Sequence, residues 1–493
     1  MKTFLPVCLA SSFALLSLHA QSPKPADGAV PAVKSIAADP FIKNADPVPG
    51  ATAEGQWRNV VLVLEVYALP KDDALALLEN ERGSAARYQR VLDLAKAKKA
   101  RLEILTALTT KSGQRALTES LDEVLHATEF APGSVKGAAP VGMNFETRNV
   151  GDTLEFEPFI RPEEPTCALS LVPQRVSLAG FRELAGAPGD PTVAQPVFVT
   201  QKLTTSTTLE ASAPHFLGTL SRPSENGVAD GAAAEISLAF LHLHVHGPAA
   251  GEVKPPARVL YGSTLSLEYS VYSLDRAQGR EILVAMPSLE APWEKLQGLL
   301  REKQARFEHL VTIQCKPGQM SVTEANHEIR YATDYAPPGR TRSTETTKRS
   351  TVTHPALAEG RHVGKNSPIE ITTVERDTPN AEGTPGAPAS IATRMAGMHI
   401  EVEPVVGPEG FTVELSSIVN SVSHRGSLKT GRAPVIPEQP VFEARKITTM
   451  QTITLGRHLL IGTFNPPGAN GVNERTDDGR TWLLFVRALP NEP

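Results

Sequence analysis

The chain is poor in cysteine and aromatics, carries no large excess of either charge, and beyond its first twenty residues has no long apolar run. Three cysteines in 493 residues cannot supply a disulfide framework, and none of them forms a Cys-x-x-Cys pair for zinc. Cys167 and Cys315 are expected to be two independent buried thiols. The formal net charge of -5 and a pI near 6.3 come without a basic stripe, which excludes an ordinary nucleic-acid binder. No segment after the leader reaches the roughly 20 apolar residues that a membrane-crossing helix needs. A Gly-x-Ser-x-Gly elbow, a P-loop and a His-Glu-x-x-His helix are all missing. No catalytic residue and no cofactor are therefore assigned, and the chain is expected to be non-enzymatic.

What is present begins with a leader. Lys2, an apolar stretch from Leu5 to Leu18 and the small Ala20 have the layout of a secretory signal over residues 1–20. Residues 21–56 are rich in Pro, Ala, Asp and Gly and read as a linker. These features predict an exported chain, in the periplasm or at the outer membrane.

The remainder repeats itself. Leu64-Glu65 matches Leu267-Glu268, at an offset of 203. Ala100-Arg101-Leu102-Glu103 matches Ala305-Arg306-Phe307-Glu308, Gly113-Gln114 matches Gly318-Gln319, and Ala127-Thr128-Glu129-Phe130 matches Ala332-Thr333-Asp334-Tyr335, all at 205. Gly151 then matches Gly397 and Glu157-Pro158 matches Glu403-Pro404, at 246. Pro196-Val197-Phe198, Gly218-Thr219 and Asn226-Gly227-Val228 recur as Pro440-Val441-Phe442, Gly462-Thr463 and Asn470-Gly471-Val472, and Phe240 recurs as Phe485. The rise from 205 to 246 puts an insertion of 41 residues in the second stretch, at about 338–391. Its Thr, Arg, Ser, Pro and Gly lack an apolar period and read as a long loop.

The expectation is an α+β fold of two tandem repeats, 57–250 and 260–493, joined by a linker at 251–259. Each repeat is a small helix/strand subdomain followed by an antiparallel β-rich domain. Val60 to Tyr67 and Leu265 to Tyr272 have strand composition. Asp72 to Glu79 and Tyr88 to Lys96 have helical spacing, as does Trp293 to Phe307. Met398 to Val406, the Pro408-Glu409-Gly410 turn and Phe411 to Ile418 form a hairpin pattern. Strands are expected at Pro440–Ile447, Gln451–Leu455, His458–Thr463 and Thr481–Leu489, with Ile236–Val245 closing the first repeat.

Gly397, the strand Ile400 to Val406, Thr452-Ile453-Thr454-Leu455-Gly456, Leu460-Ile461-Gly462 and Leu483-Leu484-Phe485-Val486 stand in an order that resembles the core domain of bacterial secretins. Secretins are the outer-membrane channel subunits of type II and III secretion. Leu154 to Ile160 is the corresponding strand of the first repeat, and Lys111-Ser112-Gly113-Gln114 resembles a turn that precedes that core. The polar stretch from Asn465 to Arg480 departs from the family, which carries an apolar segment there. The resemblance implies a secretin-like β domain, a structural or assembly role in protein transport at the outer membrane, and protein partners or self-association through β edges.

One constellation could carry chemistry. His242, His244 and His246 alternate along a strand and share a face, as zinc or copper ligands can. His215 is a candidate further ligand from a neighbouring strand. The same pattern also fits a polar strand end. The alternative function is thus a secreted binding module, for a metal through this trio or for a glycan or peptide along a sheet. The Glu155/Glu157 and Glu401/Glu403 pairs read as solvated sheet faces.

Overall fold

A run of β-branched and aliphatic residues opens the described part of the chain, and its burial organises the rest. Val60 to Val66 is buried throughout, because alternate side chains face two different layers. Leu62, Leu64 and Val66 point into the apolar space between two sheets, while Val61, Val63 and Tyr67 pack beneath helices. The structure, a computed structural model, describes residues 58–131, 140–160, 166–184, 192–211, 213–220, 235–247, 259, 263–336, 340–348, 371–379, 387–427, 438–468, 470, 472 and 479–491. The expected leader, the linkers at 21–56 and 251–258, and Asn226-Gly227-Val228 lie outside the described residues.

The first half contains β1 (Asn59–Pro70), α1 (Lys71–Asn80), α2 (Ser84–Lys96), β2 (Arg101–Lys111), β3 (Ala116–Ala131), β4 (Val141–Ile160) and β5 (Thr166–Leu184). It continues with β6 (Val193–Lys202), β7 (Thr205–Glu210), β8 (His215–Thr219) and β9 (Glu235–His246). The second half contains β10 (Leu265–Asp275), α3 (Arg276–Val284), α4 (Ala291–Arg301), β11 (Ala305–Cys315), β12 (Ser321–Tyr335), β13 (Arg340–Lys348) and β14 (Ile371–Pro379). It ends with β15 (Pro388–Val406), β16 (Thr412–Ser427), β17 (Pro440–Thr454), β18 (His458–Thr463) and β19 (Arg480–Pro490). The class is α+β and rich in strand, with antiparallel pairing throughout.

Two sheets pack face to face, and helices cover the outer face of one of them. The eight-stranded sheet runs β11-β10-β19-β18-β2-β1-β9-β8. The nine-stranded sheet runs β12-β15-β16-β17-β3-β4-β5-β6, with β7 also on β5. Both sheets therefore cross from one half to the other, at Gly462 against Leu108 and along Val441–Thr448 against Val124–Leu117. The described residues all belong to one compact unit. The helix/strand part and the β part of each half are not successive subdomains, since β8, β9, β18 and β19 return to the helix-covered sheet.

Local features recur between the halves. The strand orders β2-β1-β9-β8 and β3-β4-β5-β6 parallel β11-β10-β19-β18 and β12-β15-β16-β17. Register shifts fall at Val66/Tyr67 in β1 and at Val271/Tyr272 in β10. That register sets Glu65 beside Ser270 as equivalents, so the Leu64-Glu65 to Leu267-Glu268 match is displaced by two residues. Gly151 and Gly397 both have positive φ, 144° and 149°, and in each an added Cβ would strike a backbone carbonyl of the adjoining strand, that of Ser120 or Ala325.

Three expectations need correction. The helix begun at Trp293 stops at Arg301, because Lys303 takes a left-handed conformation and Gln304 N–H donates to Leu299 O, turning the chain into β11 before Phe307. The insertion at about 338–391 is not all loop: β13 and β14 pair as a two-stranded ribbon and β15 starts at Pro388. Pro440–Ile447 and Gln451–Leu455 are one continuous strand. Cys167 and Cys315 are free and buried.

Candidate functional site at the seam

The seam between the halves holds a buried polar cluster centred on Glu65. Glu65 sits in the middle of β1 with no solvent exposure. Its Oε1 accepts from Tyr67 Oη at 2.9 Å and from Arg280 Nε at 2.6 Å. Its Oε2 accepts from Tyr88 Oη at 2.6 Å and from His242 Nε2 at 2.9 Å. A carboxylate only accepts, so His242 must carry its proton on Nε2. Tyr88 comes from α2, His242 from β9 and Arg280 from α3, so both halves supply donors.

Burial pushes the Glu65 carboxyl up, but the hydrogen bond from His242, the charge of Arg280 and the hydrogen bond from Tyr88 outweigh it and hold it below the usual range. Burial and the Glu65 charge raise both tyrosines well above the ordinary phenol range, so they act as neutral donors. Glu65, fully buried, pairs with the partly buried Arg280, and its remaining lone pairs are all used. Such a pair gives little net stability over apolar packing, but removing one partner strands the other.

The histidine trio lies here. His242 is committed to Glu65. His244 and His246 have parallel rings with centroids 6.3 Å apart. Burial, then the neighbouring His246 and His242, brings the His244 imidazole down to about 4, and burial also lowers His246. His215 is bound through Nε2 to Glu210 O at 2.8 Å. Among the described residues no three His, Cys, Asp or Glu are grouped to hold a metal ion.

Four further hydrogen bonds fix the seam. Thr463 Oγ1 accepts from Ala107 N–H at 3.0 Å, and Thr109 Oγ1 donates to Leu460 O at 2.6 Å. Asn470, from the segment before β19, donates through Nδ2 to Asp122 Oδ2 at 2.7 Å, while its carbonyl accepts from Leu178 N–H at 2.7 Å. The Glu65 cluster was not singled out from sequence, because its members are far apart along the chain. The available signal was a lone carboxylate in an otherwise apolar strand, Val60 to Tyr67.

The class these features define is a β-rich α+β protein whose halves share both sheets. No family model matches the chain, and no curated protein matches it.

Proposed function

We propose that this chain is a tandem duplication acting as a non-enzymatic structural or assembly component of the cell envelope, exported to the periplasm or outer membrane. In this reading each repeat is a secretin-like β unit, and the link to protein transport rests on that resemblance. The duplication is supported by the parallel strand orders, the matching register shifts and the paired positive-φ glycines. The observation that carries the structural role is the continuity of both sheets across the seam. One half ends its sheets on the first strands of the other, which is how a building block joins its neighbour. The polar seam cluster is read as a lock between repeats rather than a reaction centre, since every oxygen of Glu65 is occupied.

Fractionation of the native envelope followed by native mass measurement in mild detergent tests this. The expected result is recovery with the outer membrane as a species several times the 52.8 kDa of one chain. Recovery only as a monomer outside the envelope would overturn it.

A further inference from the structure

Among the described residues, the internal seam has counterparts with no partner strand at the two ends of the sheets. Its donor strands are β18 and β17, whose equivalents in the first half are β8 and β6; these end the two sheets on one side. Its acceptor strands are β2 and β3, whose equivalents in the second half are β11 and β12; these end the two sheets on the other, β12 being paired beyond β15 only at its far end, where Asp334 meets Asn144 of β4. We infer that the ligand of these edges is a second copy of this chain, joined head to tail with its β8 and β6 against β11 and β12 of the next. This rests on the assembly role proposed above and names its partner.

Four observations carry the inference. First, the acceptor edge is apolar where a partner would cover it. Phe307 and Leu310 of β11, with Met320 and Val322 at the start of β12, are 46–56% exposed. Leu105, the equivalent of Leu310, is 4% exposed, packed beneath the second half's helices. Large exposed apolar side chains along an unpaired edge mark an interaction site.

Second, the seam register transposes onto the open edges with its charges in place. Lys446 lies opposite Glu119 across the seam. Their equivalents are Lys202 on β6 and Glu324 on β12, both exposed, Glu324 also meeting His399 Nδ1 at 2.7 Å, so the same register sets Lys202 opposite Glu324. Third, the Gly462-Thr463 pair that meets Ala107 and Leu108 recurs as Gly218-Thr219 at the tip of β8. In the seam, a Cβ at Gly462 would strike Ala107 O; at Gly218 only Leu203 comes within 4 Å.

Fourth, the helix contact changes character in a matched way. Arg280 of α3 reaches across the seam to Glu65, Tyr67 and Tyr88. Its equivalent on α1 is Leu75, an exposed leucine, and the three residues it would meet on the next copy are Ser270, Tyr272 and Trp293. Tyr272 and Trp293 already stack edge to face at 5.6 Å. A charge meets a carboxylate within the chain, and a leucine meets aromatics between chains. The pairing is complementary in both joints and mismatched if they are exchanged, which fixes the order of repeats. Because the contact is heterologous, repetition gives a closed ring or an open filament according to the rotation per copy.

The test uses the full chain with Cys8→Ser, carrying Lys202→Cys and Glu324→Cys together, treated with a short thiol-bridging reagent. Burial pushes the Cys167 and Cys315 thiols up to about 11, so they react poorly. The double variant is expected to give a ladder of covalent multimers on a denaturing gel, and each single variant none beyond dimer. In parallel, Lys202→Glu and Glu324→Lys should each raise the concentration for half-assembly by roughly three- to fivefold, as a cross-strand charge pair allows, and the combined swap should restore it. Both sites are exposed, and unchanged melting checks that the variants fold. A large native species without a ladder overturns this joint and leaves the assembly role standing. A monomer at every concentration, with no ladder, overturns both.

Discussion

β2 and β11 hold the same place in the two halves, yet they live in different surroundings. β2 is flanked by β1 and β18 and lies under the second half's helices, and most of its centre is buried. Among the described residues β11 pairs with β10 alone, and it is exposed along most of its length. The contrast teaches that exposure here is set by which neighbour is present rather than by position in the unit. In the proposed assembly, an edge that is interior in one half and bare in the other is an unfilled joint.

The comparison breaks first at the charged lock. Glu65→Ala leaves Arg280 and His242 without their carboxylate and should cost about 3–5 kcal/mol of unfolding free energy. Ser270→Ala, at the equivalent place, should cost about 1 kcal/mol or less. Denaturant titration reads both, and equal costs would mean that the clusters are not what distinguishes the halves.

Apolar packing gives the next contrast. Leu105→Ala should cost about 2–5 kcal/mol, because a buried cavity opens between β2 and the helices. Leu310→Ala, on a half-exposed side chain, should stay within about 0.5 kcal/mol in the dissociated chain.

The smallest effect is on pH dependence. His244 at the seam and His458 on β18 are both brought down to about 4, each chiefly by burial. His458 also feels Arg487, while Glu290 faces His246 and works against its lowering. A base whose folded pKa is depressed binds fewer protons folded than unfolded. Its contribution is complete above the unfolded value of about 6.5 and is lost as pH falls towards 4. The melting temperature should decline between those values, and His244→Leu should flatten the decline. A profile that is level from pH 7 to 4.5 in the parent would contradict the buried, neutral state of these rings.

Much of the architecture was legible where a single physical rule dominated. The apolar, β-branched run of β1 announced a strand, and the alternation from Met398 onward announced β15 and β16. The Gly113 and Gly318 turns were readable because positive φ, 79° and 76°, favours glycine. The end of α4 was not readable, since a lysine rather than a glycine takes the left-handed position there. Nor was α3, which carries Gly279 in its interior. That glycine is needed because a Cβ would lie 2.7 Å from Thr481 Cβ, so close packing of α3 on β19 overrides helix propensity. Of the site, the His alternation was visible but not its use. Glu65, Tyr88, His242 and Arg280 are brought together only by pairing across the whole sheet, which no local pattern records.

Hydrogen exchange on the dissociated and the assembled chain probes the central claim most directly. The amides of β2 and β3 at the seam should be protected in both states. The outward-facing amides of β11, and of β12 over residues 321–329, should exchange freely in the dissociated chain and become protected on assembly. Equal protection of β2 and β11 in the dissociated chain, or no change at β11 and β12 on assembly, would contradict it.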